Sequence, residues 1–325
     1  MKIVVTGASG FVGSHIIEGL LRQGHSVRGL SRVLPAGPRR HAGAEYVDGV
    51  NIAEAGTLTA AMFRDVDAVI HLVGIIQEGR GGQTFQRVHI EGTRSVVEAA
   101  RSSDFKGRFI YMSAIGSDPD APAEYSRTKA RAEEIVRTSG FSYTIFRPSI
   151  ILGIDGEFAA QMQDLIKYGG LPVKLPFPVI PVPGNGKNLF QPVDIDDLTR
   201  CVVECLDDPA CADKVFEIGG AEQVSFNVLL QGFAGALGVR KPLLHAPIPI
   251  LRVVATIMEA ILPKPPVTRD QLANLGRDNV TTSHAIVDVF GVKPHGFHDI
   301  LARMYSLPSD PTVGETARGT RPQAG

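Results

Sequence analysis

A tyrosine and a lysine four residues apart, Tyr125 and Lys129, have the types and spacing that proton transfer requires. On a helix, side chains four residues apart lie on the same face. A lysine ammonium beside a phenol favours the phenolate and lowers the pKa of the tyrosine. Such a phenol can exchange a proton with a hydroxyl or carbonyl group while a nicotinamide exchanges hydride. By itself the pair is more often a solvated helix face, so its interpretation depends on the residues around it.

Ser113 precedes the pair at a place where a ligand would bind. It follows the apolar segment 108–112, which predicts a strand of a parallel sheet. Ligands of such sheets bind outside the carboxyl ends of the strands. We therefore expect Ser113, Tyr125 and Lys129 to form a catalytic set in which the serine hydroxyl bonds a substrate oxygen. Arg147 either reaches into the same cleft or forms a structural ion pair.

A glycine-rich turn at the N-terminus predicts a nucleotide site. Gly7, Gly10 and Gly13 follow the apolar segment 3–5 and precede a helical apolar pattern over 16–21. In such a turn the first glycine permits the tight bend, and the second lets the backbone approach a pyrophosphate. The third lets the helix pack closely on the strand. Free N–H groups at the helix N-terminus then bind the phosphates.

The elements that must position these residues alternate along the first half of the chain. The sequence predicts strands at 2–6, 26–31, 44–48, 67–73, 108–113 and 142–147, and helices at 11–23, 54–63, 84–103 and 123–138. This alternation predicts an α/β fold with a doubly wound parallel sheet of Rossmann type. Residues 1–150 would form a dinucleotide-binding domain whose sheet is completed by about 190–220.

The composition changes after about residue 150. Residues 169–186 are rich in proline and glycine, which is typical of irregular backbone. Further elements are predicted as helices at 194–206, 225–237, 249–261, 267–275 and 297–305, with a strand at 214–218. We interpret residues 151–306 as a smaller, mostly helical substrate lobe. Residues 307–325, rich in proline, glycine, threonine and charge, are predicted to be a disordered tail.

The end of the second predicted strand favours NADP(H) over NAD(H). An adenosine ribose without a 2′-phosphate is usually held by an acidic residue at this place. Here the strand ends in Ser31 and Arg32 with no acidic residue beside them. A guanidinium suits bidentate phosphate binding. The alternative is that Arg32 is only a solvated loop residue.

Taken together, these motifs resemble those of a known family. The glycine turn, the segment His-Leu-Val-Gly at 71–74, Ser113, the Tyr125–Lys129 pair and Arg-Pro-Ser at 147–149 are similar to those of the short-chain dehydrogenase/reductase superfamily, in its extended or atypical branch. The resemblance runs from residue 1 to about residue 305. Within that superfamily, the segments at 71–75, 88–93, 147–153, 191–194 and 268–271 look most like the group related to the nucleotide-binding accessory subunit of respiratory complex I.

The resemblance implies a role for each matching residue. The pyrophosphate would lie against Gly7, Ser9, Gly10, Phe11 and Val12, the adenosine side against Leu72, Val73 and Gly74, and the nicotinamide beside Pro148 and Ile150. Ser113, Tyr125 and Lys129 would handle the proton, and the last two would also contact the cofactor. His89 departs from the pattern, because related enzymes often have an asparagine there.

Composition limits the class of partner and compartment. A net charge of -1 gives no reason to expect a nucleic-acid partner. Cys201 and Cys205, four residues apart, have no accompanying histidine pair, so they indicate packing and the sequence predicts no metal site. Three cysteines in all and no signal-peptide pattern fit a cytoplasmic protein.

Three functions remain open at this point. The first is an NADP(H)-dependent oxidoreductase with an apolar carbonyl, hydroxyl or quinone-like small-molecule substrate. The second is a nucleotide-loaded structural or assembly module of a respiratory or membrane-associated complex. The apolar segment 247–262 would then be a peripheral docking surface, whereas otherwise it covers the substrate cleft. The third is a sugar-nucleotide epimerase or dehydratase, against which the apolar character of residues 171–182 argues.

Overall fold

The computed structural model describes residues 1–79, 82–170, 174–262, 265 and 267–306. The predicted tail at 307–325 and the first three residues of the apolar segment 171–182 lie outside the described residues. Within the described ranges, no helix is long and apolar enough to cross a membrane.

The strands are short and most of them belong to the first two thirds of the chain. They are β1 (Lys2–Thr6), β2 (Ser26–Leu30), β3 (Ala44–Val47), β4 (Ala68–His71), β5 (Arg108–Met112), β6 (Ser142–Pro148), β7 (Ile151–Leu152), β8 (Ile180–Pro183), β9 (Leu189–Phe190), β10 (Val193–Asp194), β11 (Lys214–Ile218), β12 (Val224–Ser225) and β13 (Leu243–Ala246).

The helices lie between the strands of the first half and dominate the second half. They are α1 (Phe11–Arg22), α2 (Gly92–Arg101), α3 (Glu124–Arg137), α4 (Glu157–Tyr168), α5 (Ile195–Glu204), α6 (Phe226–Ala236), α7 (Ile248–Ile261), α8 (Arg269–Asn274), α9 (Ala285–Asp288) and α10 (Phe297–Ser306). A π-helical segment, Gln86–Glu91, leads into α2, and short 3₁₀ turns lie at Gly37–Arg39, Ala60–Phe63 and Pro209–Cys211.

One seven-stranded sheet positions the candidate site. Its strand order is β11-β6-β5-β4-β1-β2-β3, and every neighbouring pair is parallel. The predicted doubly wound parallel sheet is therefore confirmed. The direction in which the chain adds strands reverses between β1 and β4, at the centre of the sheet. From β1 the chain adds β2 and β3 on one side, and from β4 it adds β5, β6 and β11 on the other. Such a reversal opens a crevice at the carboxyl ends of the strands, where ligands of this fold bind.

Two apolar clusters cover the faces of the sheet, because strands buried on both faces need helices on both sides. One contains Ile16 and Leu20 of α1 with Leu198 of α5. The other contains Val96 of α2 with Val136 of α3. Burial of such side chains provides the main stabilisation, about 1.5–3 kcal/mol for each large aliphatic group. Both clusters fix the helices whose first turns border the crevice.

A third apolar cluster joins the helices of the second half. It contains Met162 of α4, Phe233 of α6 and Phe297 of α10. Two later residues, Ile286 and Phe290, instead belong to the cluster on the main sheet. The second half of the chain therefore packs both on itself and on the sheet, and a domain boundary at residue 150 stays a prediction.

One predicted helix differs from the structure, and several short strands and helices that the structure contains were not predicted. The predicted helix at 54–63 is wrong except for the 3₁₀ turn at Ala60–Phe63. Gly56 has a φ of +82°, and the Thr57 hydroxyl donates to the carbonyl groups of Asn51 and Glu54, so side-chain bonds replace the helical ladder. Conversely, α4 was not predicted, because the region around it was interpreted as irregular. Its face of Ala159, Met162 and Ile166 is buried.

Candidate active site

The glycine turn has the tight geometry that its sequence indicates. Gly7 has a φ of +78°, a conformation that favours glycine, and its N–H donates to the Leu30 carbonyl of β2 at 3.1 Å. A Cβ on Gly13 would lie 2.2 Å from the Gly7 carbonyl oxygen. No side chain fits between the first turn of α1 and the loop, so the helix N-terminus lies directly against the turn.

The N-terminus of α1 is suited to bind an anion. Its N-cap, Gly10, provides no side-chain cap, and the first turn holds no acidic residue. The first N–H groups of a helix, here those of Phe11 and Val12, lack partners inside the helix, and the helix dipole adds positive potential there. A backbone cradle without Cβ atoms next to such a helix end fits a dinucleotide pyrophosphate.

The segment after β4 borders the same turn. The N–H of Leu72 donates to the Thr6 carbonyl at 3.3 Å, and a Cβ on Gly7 would lie 3.3 Å from the Val73 nitrogen. Leu72, Val73 and the exposed Gly74 thus continue from β4 along the crevice. The structure brings this predicted group and the glycine turn together.

Pro148 and Ile150 lie at the carboxyl end of β6, on the same edge of the sheet. The Pro148 carbonyl accepts a hydrogen bond from the Ile115 N–H at 3.0 Å, and the Ile150 carbonyl accepts one from the Val193 N–H at 3.0 Å. Pro148 is buried and Ile150 is half-buried. Both residues therefore border the crevice from the side of β5 and β6, opposite the glycine turn.

Ser31 and Arg32 follow β2 immediately beside the glycine turn. The Ser31 hydroxyl donates to the Val33 carbonyl at 2.8 Å. The Arg32 side chain is exposed and forms no ion pair with any residue that the structure describes. In contrast, the guanidinium of Arg39 donates to Asp155 at 3.1 Å and lies 3.5 Å from the Ser9 carbonyl. Arg32 and Arg40 thus keep guanidinium groups without an ion pair among the described residues, and Arg32 is the one that directly follows Ser31 at the end of β2.

Tyr125 lies in the first turn of α3, among aromatic rings and near a carboxylate. Its ring centroid is 5.8 Å from that of Phe85 and 5.5 Å from that of His89, edge to face in both cases. Burial and the nearby Asp270 carboxylate raise the pKa of Tyr125 to about 12. The phenol is therefore protonated at neutral pH, and its hydroxyl bonds to no described side chain or backbone group.

Lys129 lies one turn further along α3 and extends towards the sheet. Its ammonium donates to the Met112 carbonyl at 2.8 Å, and a Cβ on Gly74 would lie 3.1 Å from the nitrogen. Burial lowers the pKa of Lys129 to about 8, although the nearby Glu133 acts in the opposite direction. The ammonium thus contacts β5 and the Gly74 segment. The predicted lowering of the Tyr125 pKa by Lys129 is wrong for this structure.

Ser113 is held by a buried carboxylate. Its hydroxyl donates to Glu133 Oε1 at 2.6 Å and lies 2.9 Å from the Ser117 hydroxyl. Arg147 donates to both oxygens of Glu133, at 2.8 and 2.7 Å, which resolves the two alternatives for Arg147 as an ion pair. A carboxylate that is 2% exposed needs such donors. In this structure the Ser113 proton is directed to Glu133, and a bond to a substrate oxygen stays a prediction.

His89 lies between the Gly74 segment and α3, in the π-helical segment Gln86–Glu91. Its Nδ1 lies 2.9 Å from the Thr128 hydroxyl, and its Nε2 accepts from the Ile75 N–H at 3.1 Å. The Thr128 hydroxyl itself donates to backbone carbonyl groups, and Nε2 lies equally close, at 3.1 Å, to the Ile75 carbonyl oxygen. Burial and the Lys129 charge lower the pKa of His89 to about 2. The imidazole is a neutral structural element of the site.

A cavity of about 500 Å³ opens beside Tyr125. One wall comes from the segment before α2 and from the start of α3, and the other comes from α7 and α8. The lining residues include the carboxylates Glu78, Glu124, Glu259 and Asp270. Arg269, which also lines the cavity, is paired with Glu259. Among the described residues, the lining is therefore acidic rather than uniformly apolar.

Two functional residues were missed by the sequence analysis. Glu133 follows Lys129 by four residues on the same helix, so its position on the inner face of α3 could have been noticed. Asp270 accepts hydrogen bonds from the N–H groups of Glu124 and Tyr125 at 2.5 and 3.3 Å. No local signal indicates that contact, because it joins residues about 145 positions apart in the chain.

Comparisons with known proteins match most of the chain. The family model described as "NAD dependent epimerase/dehydratase family" matches residues 3–219. The NADH-ubiquinone oxidoreductase 40 kDa subunit, a mitochondrial protein of Neurospora crassa, is 25% identical over 293 residues, which is 86% of this chain and 72% of that protein. Ceramide reductase of Caulobacter vibrioides is 25% identical over 261 residues, 79% of this chain and 77% of that protein.

Solved structures agree on the fold. The structure of a UDP-glucuronic acid 4-epimerase from Bacillus cereus in complex with UDP-glucuronic acid and NAD has a TM-score of 0.68 at 21% identity. The match covers 94% of this chain and 98% of that one. This likeness confirms the Rossmann-type architecture along nearly the whole chain.

Replacing Gly13 by alanine should disrupt the turn. Because the new Cβ would lie 2.2 Å from the Gly7 oxygen, we expect the free energy of unfolding to fall by about 1–3 kcal/mol and dinucleotide binding to be lost. Gly235→Ala is the matched control: it also lies in a helix, has open space around it, and should stabilise the protein by up to about 1 kcal/mol. Urea unfolding and ligand titration measure both. Equal effects of the two substitutions would contradict the close contact.

Proposed function

The chain belongs to the NAD-dependent epimerase/dehydratase family, and we propose that it is an NADP(H)-dependent oxidoreductase acting on an apolar carbonyl, hydroxyl or quinone-like substrate. The family membership accords with the resemblance to extended short-chain dehydrogenases/reductases. The observation that carries the proposal is the pair on α3. The protonated phenol of Tyr125 packs against Phe85, which lines the 500 Å³ cavity. Lys129 contacts the Gly74 segment on the side where the dinucleotide would lie.

The residues of the chain divide the chemistry between them. A bound nicotinamide supplies or accepts the hydride. Tyr125 gives its proton to the carbonyl oxygen when the substrate is reduced, and the tyrosinate that remains regains a proton from solvent. Lys129 holds its ammonium at the Met112 carbonyl and beside Gly74, next to the ribose that Gly74 would border. Ser113 would bond the same substrate oxygen, which requires its proton to turn away from Glu133.

The cavity argues against a sugar nucleotide as the substrate. A diphosphate carries two negative charges and is bound by free cationic groups or helix N-termini. The described lining instead holds four carboxylates and one arginine, with Arg269 paired with Glu259 and Glu124 paired with Arg127. Among the described residues, the lining therefore offers a diphosphate no free cationic group. A sugar-nucleotide epimerase would use the same residues with a cofactor that copurifies and is regenerated in each turnover. We therefore favour the oxidoreductase reaction over the epimerase reaction.

The neighbourhood of the glycine turn supports the choice of NADP(H). Both Gly7 and Ala8 donate to the Leu30 carbonyl, so Ser31 and Arg32 lie next to the pyrophosphate cradle. Arg32 carries an unpaired, exposed guanidinium among the described residues. An acidic residue that would repel a 2′-phosphate does not follow β2 directly.

A second candidate function, a nucleotide-loaded module that associates peripherally with a membrane, rests on α7. Its outward face consists of Ile250, Val253, Val254, Ile257 and Ile261, which are 37–67% exposed. Only Ala255 of this helix is buried. A stripe of aliphatic side chains on one helix face is typical of interfacial helices. The similarity to a complex I subunit fits this candidate, and it does not exclude catalysis.

Tyr125→Phe should abolish turnover and leave cofactor affinity intact. The substitution removes only the acidic hydroxyl, so we expect kcat to fall on the order of 10²–10⁴-fold with the NADPH dissociation constant changed less than about twofold. Tyr143→Phe, on a strand away from the site, is the control. The assay follows NADPH consumption with quinones, carbonyl lipids and sugar nucleotides. An unaffected rate in the Tyr125 variant would contradict the proposed acid.

Arg32→Ala should weaken NADPH binding selectively. Loss of a charge-assisted bond to the 2′-phosphate costs about 1.5–3 kcal/mol, so the NADPH dissociation constant should rise by about 10- to 100-fold while that of NADH stays nearly constant. Arg40→Ala, an exposed arginine in the same loop, should change both constants little. Parallel losses for NADPH and NADH would contradict the assignment of Arg32.

Aspartate substitutions on the outer face of α7 test the second candidate. If the face inserts into a bilayer, Ile250→Asp with Ile257→Asp should release the protein from vesicles of phosphatidylcholine and cardiolipin. Thr256→Asp, an exposed position on another side of the same helix, should leave binding unchanged. Cosedimentation measures the bound fraction. If the wild-type protein stays in the supernatant, the proposed association with a membrane is wrong.

A further inference from the structure

The helix that carries Tyr125 lacks a cap of its own. The N-cap of α3 is Ala123, which makes no side-chain hydrogen bond. The first N–H groups of a helix must then find acceptors elsewhere. Asp270 of α8 supplies them: Oδ1 accepts from the Glu124 N–H at 2.5 Å and Oδ2 lies 3.3 Å from the Tyr125 N–H. A residue of the second half of the chain thus acts as the cap of α3.

The segment that presents Asp270 is itself held in place by side-chain bonds. A capping box between Thr268 and Gln271 fixes the start of α8. Arg269 donates from its backbone N–H and from Nε to the two oxygens of Glu259 on α7, at 2.7 and 2.6 Å. Each of these bonds restrains the first turn of α8. The carboxylate of Asp270 therefore has little freedom to leave the start of α3.

A second contact ties the same two helices together. The Ser126 hydroxyl donates to Asn274 Oδ1 at 3.2 Å. Asn274 follows Asp270 by four residues, so both side chains lie on one face of α8. Asp270 also lines the cavity beside Tyr125, together with Glu124 and Thr268. The cap is thus part of the cavity wall and lies where a bound substrate would contact it.

We propose that Asp270 is a positioning residue for Tyr125: its carboxylate caps α3 from α8 and so fixes the turn from which the reactive phenol extends. The inference rests on the proposed role of Tyr125 as the acid. It assigns to the α7–α8 segment a task beyond covering the cleft. The segment completes the catalytic helix, and a substrate that displaces α8 would also release Tyr125.

The charge of Asp270 has a consequence for proton transfer. The charged or titratable groups near Tyr125 are Asp270 on α8, His89 on the π-helical segment, Tyr111 on β5, and Glu124, Arg127 and Lys129 on α3 itself. His89 is neutral, because burial and Lys129 lower its pKa to about 2, and Arg127 is paired with Glu124. After burial, Asp270 is the group that raises the Tyr125 pKa. A raised pKa keeps the phenol protonated, so neutralising Asp270 should let tyrosinate form at lower pH.

The test is the titration of Tyr125 by carbon-13 NMR. The protein is labelled at tyrosine Cζ, and Tyr125→Phe identifies the resonance among the six tyrosines. We expect Asp270→Asn to move the titration midpoint of Tyr125 down by about 0.5–1 pH unit, because burial is the larger cause of the raised pKa and remains. Asn274→Ala, which loses the neighbouring contact and keeps the carboxylate, should leave the midpoint within about 0.2 unit. Circular dichroism at each pH verifies the fold of all variants. An unmoved midpoint in Asp270→Asn overturns the proposal.

Kinetics separate positioning from general stability. We expect Asp270→Ala to lower kcat about tenfold or more with an unchanged NADPH dissociation constant, and Asp270→Asn, which can still accept an N–H bond, to recover part of the loss. Equal rates in Asp270→Ala and wild type overturn the proposal. The kinetic and NMR measurements also separate a failure of the proposed function from a failure of this proposal. If the wild-type protein lacks activity, the proposed function is wrong. The NMR midpoint still shows whether Asp270 acts on Tyr125.

Discussion

The contact between Gly13 and the Gly7 carbonyl is the constraint on which the rest of the site depends. At this point the first turn of α1 lies so close to the loop that a Cβ would be 2.2 Å from an oxygen. Because the helix is this close, its N-terminus lies directly over the turn. The same turn donates two N–H groups to Leu30, which aligns the end of β2 with it. One backbone contact therefore positions the proposed pyrophosphate cradle and the loop with Ser31 and Arg32, to which we assign the choice of cofactor.

The parallel sheet gathers the remaining groups at one edge. Strands β4, β5 and β6 end next to one another, so Gly74, Ser113 and Pro148 come from different parts of the sequence to the same crevice. Helix α3 closes the crevice with Tyr125 and Lys129. Its inner face continues to Glu133, whose ion pair with Arg147 of β6 anchors the helix to the sheet. Its N-terminus is bonded to α8, so the sheet and the second half of the chain both hold α3.

The sequence predicted those parts of the molecule in which local pattern and tertiary structure agree. Strand β1, the glycine turn and α1 follow from contiguous residues, and the Tyr125–Lys129 spacing follows from the helical repeat. Helix α4 was missed because the proline- and glycine-rich residues just after it made the region look irregular. The segment 54–59 failed to form a helix because Thr57 and Asn51 bond the backbone instead. The bonds of Glu133 to Ser113 and of Asp270 to α3 join distant residues, and no local pattern encodes them.

The most direct test of the central claim is a titration of the purified chain with NADPH, followed by the fluorescence of the nicotinamide. The chain contains no tryptophan, so the signal of the bound cofactor is read without interference from that residue. We expect saturable binding of one NADPH per chain, competed by adenosine 2′,5′-bisphosphate and much less by adenosine 5′-monophosphate. Absence of saturable binding of both NADPH and NADH would contradict the assignment of the glycine turn and of the site built around it.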